Sequence, residues 1–148
     1  MTLVDTTEQS QTESIAFEFA LNHPPEKVWR ALTDPALLAD WLLPAFELKL
    51  ERGAAFTFKT QPYAHWDGTV KCRFLEIDPH QKLSYTWGVG DMEMDTVVTF
   101  TLTPTASGTR LSLVQSGFKP DQKKERGGAR YGWKMMGGKL VDLLARLP

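Results

Sequence analysis

From Phe46 onward apolar and polar residues alternate in run after run, and that repetition commits the chain to a sheet. Phe46, Leu48 and Leu50 alternate with Glu47 and Lys49, and Phe56 and Phe58 with Thr57 and Lys59. Leu83, Tyr85 and Trp87 alternate with Ser84 and Thr86, and Val98, Phe100 and Leu102 with Thr99, Thr101 and Thr103. Successive side chains of a strand point to opposite faces, so such a pattern sets one face on a core and the other in water. Ile15, Phe17, Phe19 and Leu21 repeat it near the start, a long strand runs from about Thr69 to Ile77, and Leu111, Leu113 and Gln115 close the series. Arg52-Gly53, Asp78-Pro79-His80-Gln81 and Thr105–Gly108 supply turns between them. Gly88 to Asp95 is expected as an acidic loop. The pattern predicts about seven antiparallel strands.

Helices are expected at two places. After the first strand, Pro24-Pro25 suits a helix start, where a missing N–H costs nothing, and Val28, Trp29 and Leu32 follow at helical spacing. Asp34 before Pro35 caps a second short helix carrying Leu37, Leu38, Trp41 and Leu42. The last helix is expected from about Glu125 to Leu147, with Ala129, Trp133, Met136, Leu140, Leu143, Leu144 and Leu147 on one face. At 1.5 Å per residue it runs about 33 Å, enough to cross the sheet. Gly127, Gly128, Gly132, Gly137 and Gly138 weaken it, each interior glycine by about 0.5–1 kcal/mol, so it needs the sheet as a packing partner. Residues 1–13 are polar, rich in Thr, Gln and Ser, and are expected as a disordered tail. One α+β domain then spans 14–148: a curved antiparallel sheet wrapped on a long C-terminal helix, with two short helices after the first strand.

Pro25-x-x-Val28-Trp29-x-Ala31-Leu32-Thr33-x-Pro35 followed by Trp41, then Leu75-Glu76-Ile77-Asp78-Pro79 followed by Leu83-x-Tyr85-x-Trp87, then Gly108-Thr109-x-Leu111-x-Leu113 and Gly132-Trp133, stand in this order along the chain. Together they resemble the START-like (SRPBCC, Bet v-type) superfamily, and within it the activator of heat-shock-protein-90 ATPase homologue-like group. The resemblance spans residues 14–147. It implies a helix-grip fold with a deep pocket between sheet and helix. Two departures stand out: Cys72, where many members have glycine, and Gly137 in place of leucine, which is expected to leave space beneath the helix. Members of the superfamily include lipid and hormone binders, polyketide aromatase/cyclases and co-chaperones, so the fold does not name one activity.

Charge and motifs remove several classes. Lys plus Arg number 17 and Asp plus Glu 18, a net charge of -1, so no overall basic field for nucleic acid is present. The single Cys72 excludes an internal disulfide framework, and no apolar run reaches the length of a membrane span. The N-terminal residues lack an apolar signal segment, and a cytoplasmic protein is expected. His23, His65 and His80 show no metal-ligand spacing. There is no nucleophile elbow and no phosphate-binding glycine loop. No metal or cofactor is expected.

What remains is an aromatic excess. Trp41, Phe56, Phe58, Tyr63, Trp66, Tyr85, Trp87, Trp133 and Met136 are candidate walls of an apolar pocket, with His65, Glu93 and Asp95 as polar anchors. The plain alternative is that these side chains fill a core. The leading expectation is a non-catalytic binder of a small hydrophobic or aromatic molecule. An aromatase/cyclase would instead use His65, Tyr85, Glu93 or Asp95 as a general acid or base, and a chaperone-cofactor module would use a surface. From Lys119 to Pro148 there are eight Lys/Arg and three Asp/Glu, +5 against -6 for the rest. Tyr131 and Met135, four residues apart and away from Trp133, are expected as an exposed apolar spot for a homodimer or protein partner.

Overall fold

Eight strands form one antiparallel sheet in the computed structural model, which describes residues 2–6, 14–61, 68–89 and 94–147. They are β1 (Thr2–Asp5), β2 (Ser14–Leu21), β3 (Ala45–Phe46), β4 (Ala55–Lys59), β5 (Thr69–Asp78), β6 (Lys82–Val89), β7 (Met94–Thr105) and β8 (Gly108–Ser116). Helices α1 (Pro25–Thr33) and α2 (Pro35–Trp41) follow β2, and α3 (Lys123–Arg146) ends the chain. The spatial order is β1-β2-β8-β7-β6-β5-β4-β3. All consecutive strands from β3 to β8 are sheet neighbours, and β2 closes against β8. This is the antiparallel sheet that the alternation predicts, in the helix-grip arrangement that the resemblance implies. Alternate residues of each long strand are buried: Phe17 and Phe19 of β2, Leu83 and Tyr85 of β6, Val98 and Phe100 of β7, and Leu111 and Leu113 of β8. The three helices lie over that inner face.

The helix starts follow the sequence chemistry. Pro25 opens α1, and the Asp34 carboxylate accepts a hydrogen bond from the Ala36 N–H at 3.0 Å, capping α2. Lys27 on α1 donates from Nζ to the Leu147 carbonyl at 2.8 Å and to Nδ1 of His23 at 3.1 Å. That bond fixes α1 to the C-terminal end of α3, where a cation suits the helix dipole. It also leaves the His23 ring neutral with its proton on Nε2, an atom buried without a hydrogen-bond partner among the described residues. Burial, and next to it the Lys27 charge, lower the His23 pKa.

Four expectations need correction. Residues 2–5, placed in a tail, form β1 on the sheet edge, pairing Leu3 with Phe19 and Asp5 with Phe17. The polar segment that follows it, residues 7–13, lies outside the described residues. β3 stops at Phe46 although alternation continues through Leu50, because Glu47 turns the backbone at φ 59. The loop expected over Gly88 to Asp95 is shorter, since Gly88 and Asp95 pair with each other on β6 and β7. Finally, Gly137 leaves no space beneath α3. A Cβ there would lie 2.9 Å from Cε2 and 3.0 Å from Cζ of Phe19, and 3.2 Å from Cδ2 of Leu3. The glycine lets a fully buried ring sit against the helix backbone.

Gly137→Ala is therefore expected to lower stability by about 1–3 kcal/mol through overpacking. Gly138→Ala, where nothing lies within 4 Å of the new Cβ, is expected to raise it by about 0.5–1 kcal/mol. Urea denaturation of the two variants checks both signs, and equal destabilisation would refute this account of Gly137.

Candidate functional site

The inner face of the sheet concentrates the aromatic rings. Phe56 and Phe58 come from β4, Phe74 from β5, Tyr85 and Trp87 from β6, and Phe100 from β7, because each occupies the inward register of its strand. Trp133 descends from α3 and Trp41 from α2. Trp87 and Trp133 meet at 5.5 Å between centroids, Phe58 and Trp87 at 5.5 Å, and Phe56 and Phe74 stack at 4.6 Å. Tyr85 meets Phe56 edge-on at 5.3 Å, and Phe100 meets Trp133 edge-on at 6.2 Å. These distances fall in the range of favourable ring pairs. The rings form a continuous layer between the sheet and α3.

Polar groups within this layer are paired with one another. The Trp133 indole N–H donates to Oε1 of Gln115 at 2.8 Å, and Nε2 of Gln115 donates to Oγ1 of Thr96 at 2.8 Å. The Thr96 hydroxyl donates in turn to the Trp87 carbonyl at 2.9 Å. Gln115 and Thr96 are both about 1% exposed. The chain of bonds ties α3 to β6, β7 and β8 and fixes the tilt of Trp133. Sequence reasoning did not single out Gln115 or Thr96 for this role. The signal was nonetheless present: Gln115 continues the inward register of Leu111 and Leu113, and a polar residue in a buried register must find partners. Trp41 is anchored separately, its indole N–H donating to the Ala31 carbonyl at 2.7 Å.

Titratable groups on this face are held neutral. Burial pushes the Tyr85 phenol well above its ordinary pKa, with nearby Cys72 adding to the shift, and burial likewise pushes the Cys72 thiol up. Both stay protonated, so neither serves as a general base or a thiolate nucleophile.

Of the residues predicted for the site, Trp41, Phe56, Phe58, Tyr85, Trp87 and Trp133 come together on the inner face, each buried. Met136 is half-buried along the same helix. Asp95 is elsewhere: it is exposed on β7 and borders an open groove of about 400 Å³ on the opposite, solvent face. Tyr85 and Asp95 thus stand on different faces and do not share a site. Tyr63, His65, Trp66 and Glu93 lie outside the described residues. Among the described residues, no three His, Cys, Asp or Glu side chains gather in a way that would hold a metal ion. No helix among them is long and apolar enough to cross a membrane.

A curved antiparallel sheet closed by a long C-terminal helix over an aromatic inner face defines the START-like class. Within it the chain belongs to the family described as "Activator of Hsp90 ATPase homolog 1-like protein", which matches residues 22–145. Protein MLL2253 from Mesorhizobium loti has a similar structure, with a TM-score of 0.82 and 42% sequence identity over 91% of this chain and 98% of that one. Protein CV1439 from Chromobacterium violaceum is 30% identical, with a TM-score of 0.74, over 89% of this chain and 97% of that one. DynU16, a putative protein in the dynemicin biosynthetic locus, shares the fold at 22% identity and a TM-score of 0.77. The likeness covers 92% of this chain and 48% of DynU16. No curated protein matches the chain.

Replacing Gln115 by Leu would strand the Trp133 indole N–H in the aromatic layer. The expected loss is about 1–3 kcal/mol in urea denaturation. Adding Trp133→Phe should cost less in the Gln115→Leu background than in the wild type, since the stranded donor is then gone. Additive losses would show that the bond carries no coupling.

Proposed function

We propose that this chain binds a small hydrophobic or aromatic molecule between the sheet and α3, without catalysis. The observation that carries the reading is the aromatic layer itself. Rings from four strands and two helices converge on one face, and the polar groups among them are paired internally or kept neutral. These rings are buried against one another, so a guest has to part the layer, and it then meets apolar contact and ring edges and faces and no fixed charge. An aromatic guest can replace ring-to-ring contacts worth about 0.5–1.5 kcal/mol each with equivalent ones. The aromatase/cyclase alternative needs an acid or base on that face. Tyr85, the described candidate there, is a protonated phenol, suited to donating a hydrogen bond and not to removing a proton.

A thermal-shift screen tests the reading, using neutral aromatics, aromatic acids, flavonoids, sterols and fatty acids. A ligand at a hundred times its dissociation constant adds about 2.7 kcal/mol, a rise of about 5–10 °C for a domain of this size. Neutral aromatics and flavonoids are expected to give the rise, with Trp fluorescence changing in parallel. A panel without any shift would refute the binder and leave the interaction-module alternative.

The same proposal includes a cytoplasmic setting, with which the free, buried Cys72 thiol is consistent. It also includes a self or protein contact through Tyr131 and Met135, which are 59% and 52% exposed on α3. Tyr131→Glu is expected to reduce the size measured by light scattering at high protein concentration. An unchanged size would remove the contact.

A further inference from the structure

We infer that the groove on the solvent face of β4 to β7 is a second binding site, for a small zwitterion carrying a carboxylate and an ammonium group several bonds apart. It lies on the side of the sheet away from α3 and stands independently of the inner-face reading.

Register builds the groove. Thr57, Lys71, Gly88 and Asp95 are successive cross-strand partners on β4, β5, β6 and β7. Residues opposite one another on paired strands point to the same side. Lys71 and Asp95 therefore rise from one face with only Gly88, which has no side chain, between them. Thr86 continues the low floor along β6, and Thr57 continues it on β4. Charged side chains wall this floor: Lys71 and Arg73 on β5, Asp95 on β7, and Glu47 beyond β4. The open groove holds about 400 Å³.

The charges around it are arranged for a guest. Strands lie about 4.8 Å apart, so the backbones of Lys71 and Asp95 are about 10 Å apart. Lys71 and Arg73, two residues apart on one strand, are separated by about 7 Å and carry like charge. Among the described residues, the ion pairs are Lys82 with Glu76, Arg110 with Glu18, and Asp5 with Arg130 and Lys134. None involves Glu47, Lys71, Arg73 or Asp95. Arg73 donates from Nη1 to the Gly53 carbonyl at 2.6 Å. This bond fixes the guanidinium at the rim and leaves further N–H groups for a planar carboxylate, the partner its fork suits. Glu47 is held on the other wall by a left-handed backbone at φ 59, a conformation uncommon outside glycine, asparagine and aspartate.

A simple anion would meet Lys71 and Arg73 but also the two carboxylates. A simple cation would meet the reverse. A molecule with both signs can place its carboxylate on Lys71 and Arg73 and its ammonium on Asp95, with Glu47 left to bound the far side. Its methylenes then lie over Gly88 and the Thr86 side chain. The gap across Gly88 favours charges separated by a short chain over those of an α-amino acid.

The experiment titrates the 15N-labelled full chain with 5-aminopentanoate, pentanoate and pentylamine, following backbone amide shifts. We expect 5-aminopentanoate to shift the amides of Lys71, Arg73 and Gly88 with a dissociation constant on the order of 1–10 mM. Pentanoate and pentylamine should bind about three- to five-fold more weakly, the worth of one exposed charge pair. Asp95→Asn should weaken 5-aminopentanoate and, by removing a like charge, leave pentanoate bound at least as well as before, so that the two ligands bind alike, and Arg73→Gln should weaken both. All these side chains are exposed, so the variants are expected to fold. The inference is overturned if pentanoate binds as tightly as 5-aminopentanoate, if Asp95→Asn changes nothing, if no amide shifts by about 20 mM, or if the shifts map to Tyr85 and Trp133.

Discussion

The ring of Phe19 occupies the place where a side chain on Gly137 would stand, and the rest of the architecture depends on that contact between sheet and helix. Helix α3 carries five glycines and has little intrinsic tendency to form. It is held from outside along its length, among other contacts by Phe19 against Gly137, by the Gln115 bond to Trp133, and by Lys27 on the Leu147 carbonyl. The dependence runs both ways. Without α3, the inner rings of β2, β6 and β7 would face water. Neither layer is stable without the other, which makes the grip cooperative and places its weakest local element, the glycine-rich helix, directly over the aromatic layer.

Much of this was legible in the chain. Alternation marks the inward register of β2, β4, β6, β7 and β8 because one face of each is buried, and the Asp34-Pro35 cap places the start of α2 to the residue, though the helix ends at Trp41, one short of Leu42. The misreadings have physical causes. β3 ends early because a backbone dihedral at Glu47, invisible to hydropathy, turns the chain out of the sheet. Gly137 was taken for missing volume, whereas a close approach by a long side chain from another element also requires glycine. Spacing alone cannot separate those two uses. Trp41, Phe56, Phe58, Tyr85, Trp87 and Trp133 share the inner face, but Asp95, grouped with them, does not. β7 begins at Met94, inside the segment expected as a loop, so the same alternation that turns Thr96 and Val98 inward turns Asp95 outward.

The two faces of the sheet therefore present different chemistry from the same strands. On β5, Cys72 and Phe74 point inward while Lys71 and Arg73 point out; on β6, Tyr85 and Trp87 point inward while Thr86 and Gly88 point out. On the inner face the Trp133 indole, Gln115 and Thr96 are bonded to one another. The outer face leaves charges of both signs around a floor of small residues. The register thus keeps fixed charge off the inside and bulk off the floor of the outside.

The surplus of positive charge in the C-terminal segment has a structural use as well. Asp5, only 16% exposed at its side chain, accepts a hydrogen bond from Nε of Arg130 at 2.6 Å and lies 3.6 Å from Nζ of Lys134. Partial burial shields this cluster from the screening that makes exposed pairs weak. Leu3, two residues before Asp5, packs beside Gly137. One short strand thus meets α3 through both an apolar and a charged contact, neither of which its own composition announces. An edge strand of four residues has few ladder bonds to hold it. Its place in the fold is set by the helix it touches, so part of the basic character of α3 serves to recruit β1 and is not available to an outside partner.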